Sequence, residues 1–170
     1  MNTDELRQRI HEELANRDAH KAIETMCEHG SARQLVWWGC LCAWSIWRPL
    51  PPVIEDAALG IASRWVLVGG DAHRRDASDC LQSEAAGHCR LLLSAVVNSG
   101  GRLKMGSESF AQPTPDLSKR FLFGFVHTLV GSAGPVRQYE VADKFAQIAV
   151  QMLAFSAPDP ESVFLQESSR

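Results

Sequence analysis

Residues 35–47 read LVWWGCLCAWSIW, the longest apolar run in the chain. A helix that is apolar on nearly all sides is buried on nearly all sides. Ser31 precedes the run as a candidate helix cap, and Pro49 follows it, where a proline ends a helix. The 13 residues of the run fall short of the ~20 that cross a bilayer. We therefore predict a central core helix here, without membrane insertion.

Apolar residues recur at helical spacing through the rest of the chain, as in the stripe Val141, Phe145, Ile148, Met152 and Phe155. No segment alternates apolar and polar residues for long enough to indicate a strand. We predict an all-α protein of seven to eight helices. Short helices joined by Pro and Gly turns suit an irregular helical bundle or a short α-solenoid, and both remain open because no strict repeat is visible.

The chain is long enough for one domain with a substantial core, and we predict a single helical domain over residues 1–156. A polar C-terminal tail is predicted over residues 157–170. Within it, Val163-Phe164-Leu165 is an apolar island that could dock back on the domain. The segment from Ser99 to Pro115 is rich in Gly, Ser and Pro and has no periodicity, which predicts one long loop. Such a loop is either a crossover connection or a binding loop.

Charge gives no reason to expect nucleic acid as a partner, because the formal net charge is -3. The basic residues are scattered, and each group is predicted to lie on a solvated face: His73-Arg74-Arg75, Arg102 with Lys104, and Lys119-Arg120. The segment Met1–Glu5 has neither the basic nor the apolar region of a secretory signal. We therefore expect a cytoplasmic protein.

The five cysteines are an odd number without a secretory signal, so we expect reduced thiols in a packed interior. Cys40 and Cys42 are two positions apart, which places them roughly 200° apart around a helix. They cannot easily share a metal. We expect no metal and no cofactor in this protein.

An alternative hypothesis is a metal-binding module or an enzyme that uses Cys80, Glu84 and His88. These residues fall at i, i+4 and i+8 and would share one face of a continuous helix, where they could act as zinc ligands. A second set has a similar spacing on an earlier helix: His20, Glu24 and Cys27. Sets of this kind arise often by chance, and zinc sites usually show tighter spacing.

No catalytic motif supports an enzyme. The chain has no Gly-x-Ser-x-Gly, and Ser99-Gly100-Gly101 lacks the preceding strand and following helix of a phosphate-binding loop. His127 lies within an apolar helical segment, which favours a core or helix-face histidine over a general base. We therefore predict that the protein is not an enzyme.

The five tryptophans exceed what one helix of this length can bury. We assign Trp37 and Trp44 to the core, with Trp65 packing against them from the next helix. Trp38 and Trp47 are then the candidates for a groove or partner surface, because Trp is enriched at interface hot spots. The long loop adds two residues to this predicted protein-binding site, Arg102 and Phe110. The alternative is that all five tryptophans fill the core.

Three segments in this order resemble an uncharacterised family of small helical bacterial proteins: VWWGCLCA at 36–43, EDAALGIASRWV at 55–66, and Ser99-Gly100-Gly101 followed by Pro113-Thr114-Pro115. Members are sometimes encoded beside type VI or type III secretion genes and proteins with forkhead-associated domains. The resemblance spans roughly residues 32–130 and implies no catalytic residues.

Together these observations favour a non-enzymatic adaptor or accessory protein of the bacterial cytoplasm that binds a protein partner, in the setting of a secretion system. An immunity protein or a chaperone for a secreted toxin is the second hypothesis. Co-expression with neighbouring gene products separates the two, since a chaperone rescues the solubility of a specific cargo.

Overall fold

The computed structural model describes residues 1–83, 86–100, 103–105, 109–111 and 116–155. Within these ranges the chain forms eight α-helices: α1 (Thr3–Ala15), α2 (Ala19–His29), α3 (Ala32–Ile46), α4 (Val53–Val68), α5 (Gly70–Gln82), α6 (Arg90–Val97), α7 (Leu117–Ser132) and α8 (Gln138–Ala154). A 3-10 turn, Gly87–Cys89, leads into α6. The predicted all-α class is confirmed.

The central position of α3 is also confirmed, because it packs against α4, α6, α7 and α8. Ser31 caps its first turn, and Gln34 bonds back to the Ser31 N–H to complete a capping box. Gly39, at mid-helix, allows close packing of α3 on two neighbours. A Cβ at Gly39 would lie 2.9 Å from Leu122 Cδ1 and 3.1 Å from Leu92 Cδ1.

The helices form an irregular bundle. In a solenoid each repeat contacts only its neighbours along the chain. Here α1 packs on α8, from the other end of the described sequence, and α2 packs on both α7 and α8. No helix in the described part of the chain is long and apolar enough to cross a membrane.

The predicted long loop between α6 and α7 contains a short hairpin. Strand β1 (Leu103–Met105) pairs antiparallel with β2 (Ser109–Ala111), with Lys104 opposite Phe110. Strands of three residues are too short to produce a readable alternation of apolar and polar positions, so the sequence pattern missed them. Apart from Ser99 and Gly100, the remainder of the loop lies outside the described residues, as does the predicted tail 157–170.

Arg74 corrects the prediction that the basic group at 73–75 lies on a solvated face. Its side chain is 4% exposed. Nε and Nη2 donate to the Val97 carbonyl at 3.1 and 2.7 Å, and Nη1 pairs with Asp71 at 2.9 Å. The guanidinium therefore satisfies a carbonyl at the C-terminal end of α6, where a helix dipole favours positive charge. Arg75, the next residue, is exposed as predicted.

Candidate functional site

Trp38 is fully buried, so its assignment to a partner surface was wrong. Its indole Nε1 donates a hydrogen bond to the Phe145 carbonyl oxygen at 2.9 Å, which ties α3 to α8. The error has a physical cause. Neighbouring residues on a helix point about 100° apart, and a helix that is apolar all round gives no stripe from which to fix that angle.

The outward aromatic of α3 is Trp37. It is half-buried at the edge of the core rather than inside it, and its ring packs edge-to-face on Trp44, with centroids 5.7 Å apart. Trp44 is half-buried too, so the core assignment of this pair was also wrong. Trp65 is buried in the core at 7% exposure. Trp47 is half-buried at the C-terminal end of α3.

Trp37 lines a groove of about 750 Å³ between α3 and α8, with the end of α4 closing one side. We call this the α3–α8 groove. Successive turns of α3 present its first wall, at positions 33, 37, 41 and 45, and Arg48 follows just beyond the helix. Residues four apart share one helical face, which is why these side chains line up.

The second wall of the α3–α8 groove comes from α8. Ile148 and Met152 supply its apolar surface, together with Phe155, the residue that follows the helix. Leu67, on α4, faces the groove at 70% exposure, and Phe155 is 79% exposed. Large apolar side chains exposed next to one another are typical of binding surfaces. The groove therefore offers a floor of aliphatic, aromatic and thioether side chains, and methionine adapts readily to different ligands.

The rim of the α3–α8 groove is positively charged. Arg33, Arg48 and Lys144 line it, and no Asp or Glu is among its described lining residues. Lys144 Nζ donates to the Ser45 carbonyl at 3.0 Å, at the C-terminal end of α3. The Arg33 guanidinium lies against Gly69, where an added Cβ would come within 2.6 Å of Nη2. Apolar floor and cationic rim together complement an acidic segment with large apolar residues.

A larger cleft of about 1030 Å³ lies at the N-terminal ends of α1 and α3, and many of its lining residues are polar. Its polar groups are already used inside the protein. Asn2 and Ser31 cap the two helices, while Ser99 and Ser118 donate their hydroxyls to carbonyls of α6. Satisfied groups have little to offer a ligand, so the α3–α8 groove is the stronger candidate.

The structure does not bring the other predicted site residues to the α3–α8 groove. Trp47 is not among its lining residues. Phe110 lies in β2, between α6 and α7, and its side chain falls outside the described residues, as does Arg102. Sequence reasoning missed Arg33, Leu67 and Lys144, and only the i, i+4 spacing of Arg33 and Trp37 hinted at a shared face.

The hypothetical metal face at Cys80, Glu84 and His88 needed one continuous helix. Instead α5 ends at Gln82, and His88 lies in the separate 3-10 turn, where its backbone N–H donates to the buried carboxylate of Glu55 at 3.3 Å. Glu84 lies outside the described residues. No group of three His, Cys, Asp or Glu side chains able to hold a metal occurs elsewhere in the described ranges.

The His127 ring packs beside the rings of Phe123 and His20. Its ring lies 4.2 Å from the Phe123 ring and 6.1 Å from that of His20, and its Nε2 is buried without a hydrogen-bond partner. Burial, and next the nearby His20, lower the pKa of His127.

All five cysteines are free thiols. Burial raises the pKa of Cys27 and Cys40 to about 12, and it also raises the pKa of Cys42, Cys89 and, at a half-exposed site, Cys80. Because the thiolate is the reactive form, these thiols are chemically quiet in the folded protein.

We predict that a chromogenic disulfide reagent at about pH 8 modifies one thiol promptly in the native protein, because only Cys80 is partly accessible. Unfolding in guanidinium chloride should release all five. The Cys80→Ser variant should show no prompt reaction. Prompt reaction of two or more thiols in the native protein would contradict the burial of the other four cysteines.

Comparison with known proteins identifies a family for this chain. A family model described as a family of unknown function, DUF6931, matches residues 10–158, which include all the residues that line the α3–α8 groove. No curated protein and no solved structure matches the chain. The matched residues cover most of the sequence, and the chain belongs to the DUF6931 family.

Proposed function

We propose that this protein is a non-enzymatic adaptor that binds an acidic segment of a partner protein in the α3–α8 groove. The observation that carries the proposal is the combination of exposed apolar side chains, Leu67 and Phe155, with three cations and no acid around them. A buried aromatic anchor and a complementary charged rim are the usual parts of a peptide-binding site. Trp37 would supply the anchor.

The setting that we propose is the one implied by the sequence resemblance, an accessory role in the bacterial cytoplasm beside a secretion system. The groove supports the adaptor role independently of that setting. An immunity protein or a toxin chaperone would use the same surface on its cargo, and solubility rescue of a co-expressed cargo would identify that case.

We expect the groove to select acidic ligands. The probe is a fluorescein-labelled twelve-residue peptide with a central Leu-Phe-Leu flanked by glutamates, and its counterpart carries lysine at every glutamate position. Favourable rim charges should give the acidic peptide at least about tenfold tighter binding at low salt, and the difference should shrink as salt screens the rim. Fluorescence anisotropy measures both affinities.

A matched pair of variants locates the site. Leu67→Asp places a carboxylate in the groove, whereas Val68→Asp changes the next residue, which is 67% exposed and does not line the groove. Loss of an apolar anchor of about 2 kcal/mol corresponds to about thirtyfold weaker binding for Leu67→Asp. Val68→Asp should stay within about twofold of the parent. Equal affinities for the two variants would overturn the proposed function.

A further inference from the structure

The C-terminal segment Asp159–Glu167 has the same chemistry that the α3–α8 groove is built to accept. It reads DPESVFLQE and contains three acids, no base and three adjacent apolar residues, Val163, Phe164 and Leu165. The groove contributes three cations and no acid around an apolar floor. Charge and apolar character therefore match on both sides.

The position of Phe155 makes the match physically reachable. Phe155, the last described residue, itself lines the groove, so the tail leaves from one end of it. The groove runs along α8 from Lys144 to Phe155, a length of ~16 Å at 1.5 Å per helical residue. The nine residues from Phe155 to Phe164 span up to ~30 Å when extended, enough to turn back and follow the whole groove.

The sequence of the connecting segment favours such an extended return. Pro158 and Pro160 lack the backbone N–H that a continuing helix would use, and each disfavours helical geometry in the residue before it. On such a return, Asp159 and Glu161 would pass the cationic rim before the apolar island.

We propose that the tail segment Asp159–Glu167 occupies the α3–α8 groove of its own chain and competes there with the partner segment. This inference rests on the proposed function for its consequence, since a docked tail must be displaced before the partner binds. The effective concentration of a short tethered segment is on the order of 1 mM. Even a weak interaction then keeps the groove substantially occupied.

Disulfide trapping in the full-length chain tests the docked tail directly. In a Cys80→Ser background, Ser162→Cys is combined with Gln151→Cys, an exposed residue that lines the groove. The control pairs Ser162→Cys with Val68→Cys, an exposed residue that follows Leu67 on α4 and does not line the groove. With diamide as oxidant, the groove pair should close an intramolecular disulfide at least tenfold faster than the control pair, as followed by non-reducing electrophoresis.

Equal rates for the two pairs would overturn the docked tail, and so would a product that is mainly a disulfide-linked dimer, which would place the tail on a second copy. Failure here leaves the proposed function standing if the acidic peptide still distinguishes Leu67→Asp from Val68→Asp. Conversely, rapid trapping without peptide binding would contradict the proposed function and still support the docked tail.

A second measurement tests whether the tail competes with the acidic peptide for the groove. The tail variant Val163→Ser, Phe164→Ser, Leu165→Ser removes the apolar island from the full-length chain. If the parent groove is mostly occupied by its own tail, this variant should bind the acidic peptide about tenfold more tightly than the parent. An unchanged affinity would contradict competition between tail and partner.

Discussion

Replacing Trp38 with alanine is expected to lower the free energy of unfolding by about 3–5 kcal/mol, the largest stability effect that we predict for a single residue. The indole is fully buried between α3 and α8, and its removal leaves a cavity at the centre of the bundle. The variant also loses the hydrogen bond from Nε1 to the Phe145 carbonyl. Urea denaturation followed by far-ultraviolet circular dichroism measures the change.

Two companion variants separate the contributions. Trp38→Phe keeps most of the volume and loses the hydrogen bond, so it should cost about 1–2 kcal/mol. Trp37→Ala removes the same side chain one position earlier, where it is half-exposed, and should cost about 1–2 kcal/mol. If Trp37→Ala destabilised the protein more than Trp38→Ala, the orientation of α3 would be wrong.

Arg74→Met is expected to cost about 3 kcal/mol, because it removes charged hydrogen bonds from a buried acceptor. Methionine keeps the length and apolar stem of the side chain. It cannot donate to the Val97 carbonyl, where Nη2 lies at 2.7 Å, and the pair with Asp71 is lost as well. The carbonyl at the end of α6 would then be buried without that partner.

Arg75→Met provides the control for Arg74→Met. It makes the same chemical change on the same helix at an exposed position, and it should alter the free energy of unfolding by no more than about 0.5 kcal/mol. Chemical denaturation of both variants at one salt concentration gives the comparison. Similar losses in the two variants would contradict a structural role for the buried guanidinium.

Much of the fold could be predicted because its signals are local. Ser31 and Pro49 bound the central helix through their own chemistry, and the helical spacing of Val141 and Phe145, both buried, predicts α8 without knowledge of its neighbours. The all-α class and the central α3 followed from such signals.

The angular orientation of α3 could not be predicted, because a helix surrounded by four others is apolar in every direction. For this reason the sequence analysis assigned Trp37 to the core and Trp38 to the surface, whereas the structure buries Trp38 and leaves Trp37 half-buried. The burial of Arg74 could not be predicted for a related reason. Only the folded chain brings its guanidinium to the Val97 carbonyl at the end of α6.

The sequence predicted that a binding surface exists but not which residues form it. An excess of aromatic residues indicated a binding surface, but the residues that form the α3–α8 groove come from α3, α4 and the distant α8. Arg33, Leu67 and Lys144 carry no motif in common, and their meeting depends on how the helices pack. Composition alone does not contain that information.

The indole N–H signals of the five tryptophans offer the most direct test of ligand binding in the α3–α8 groove. Single Trp→Phe variants assign the signals in a nitrogen-15 correlation spectrum of the full-length protein. Titration with the acidic peptide should shift Trp37, which lines the groove, and Trp44, which packs against it. Trp38, buried and bonded to Phe145, should not move. A titration that shifted Trp47 and left Trp37 in place would contradict the account.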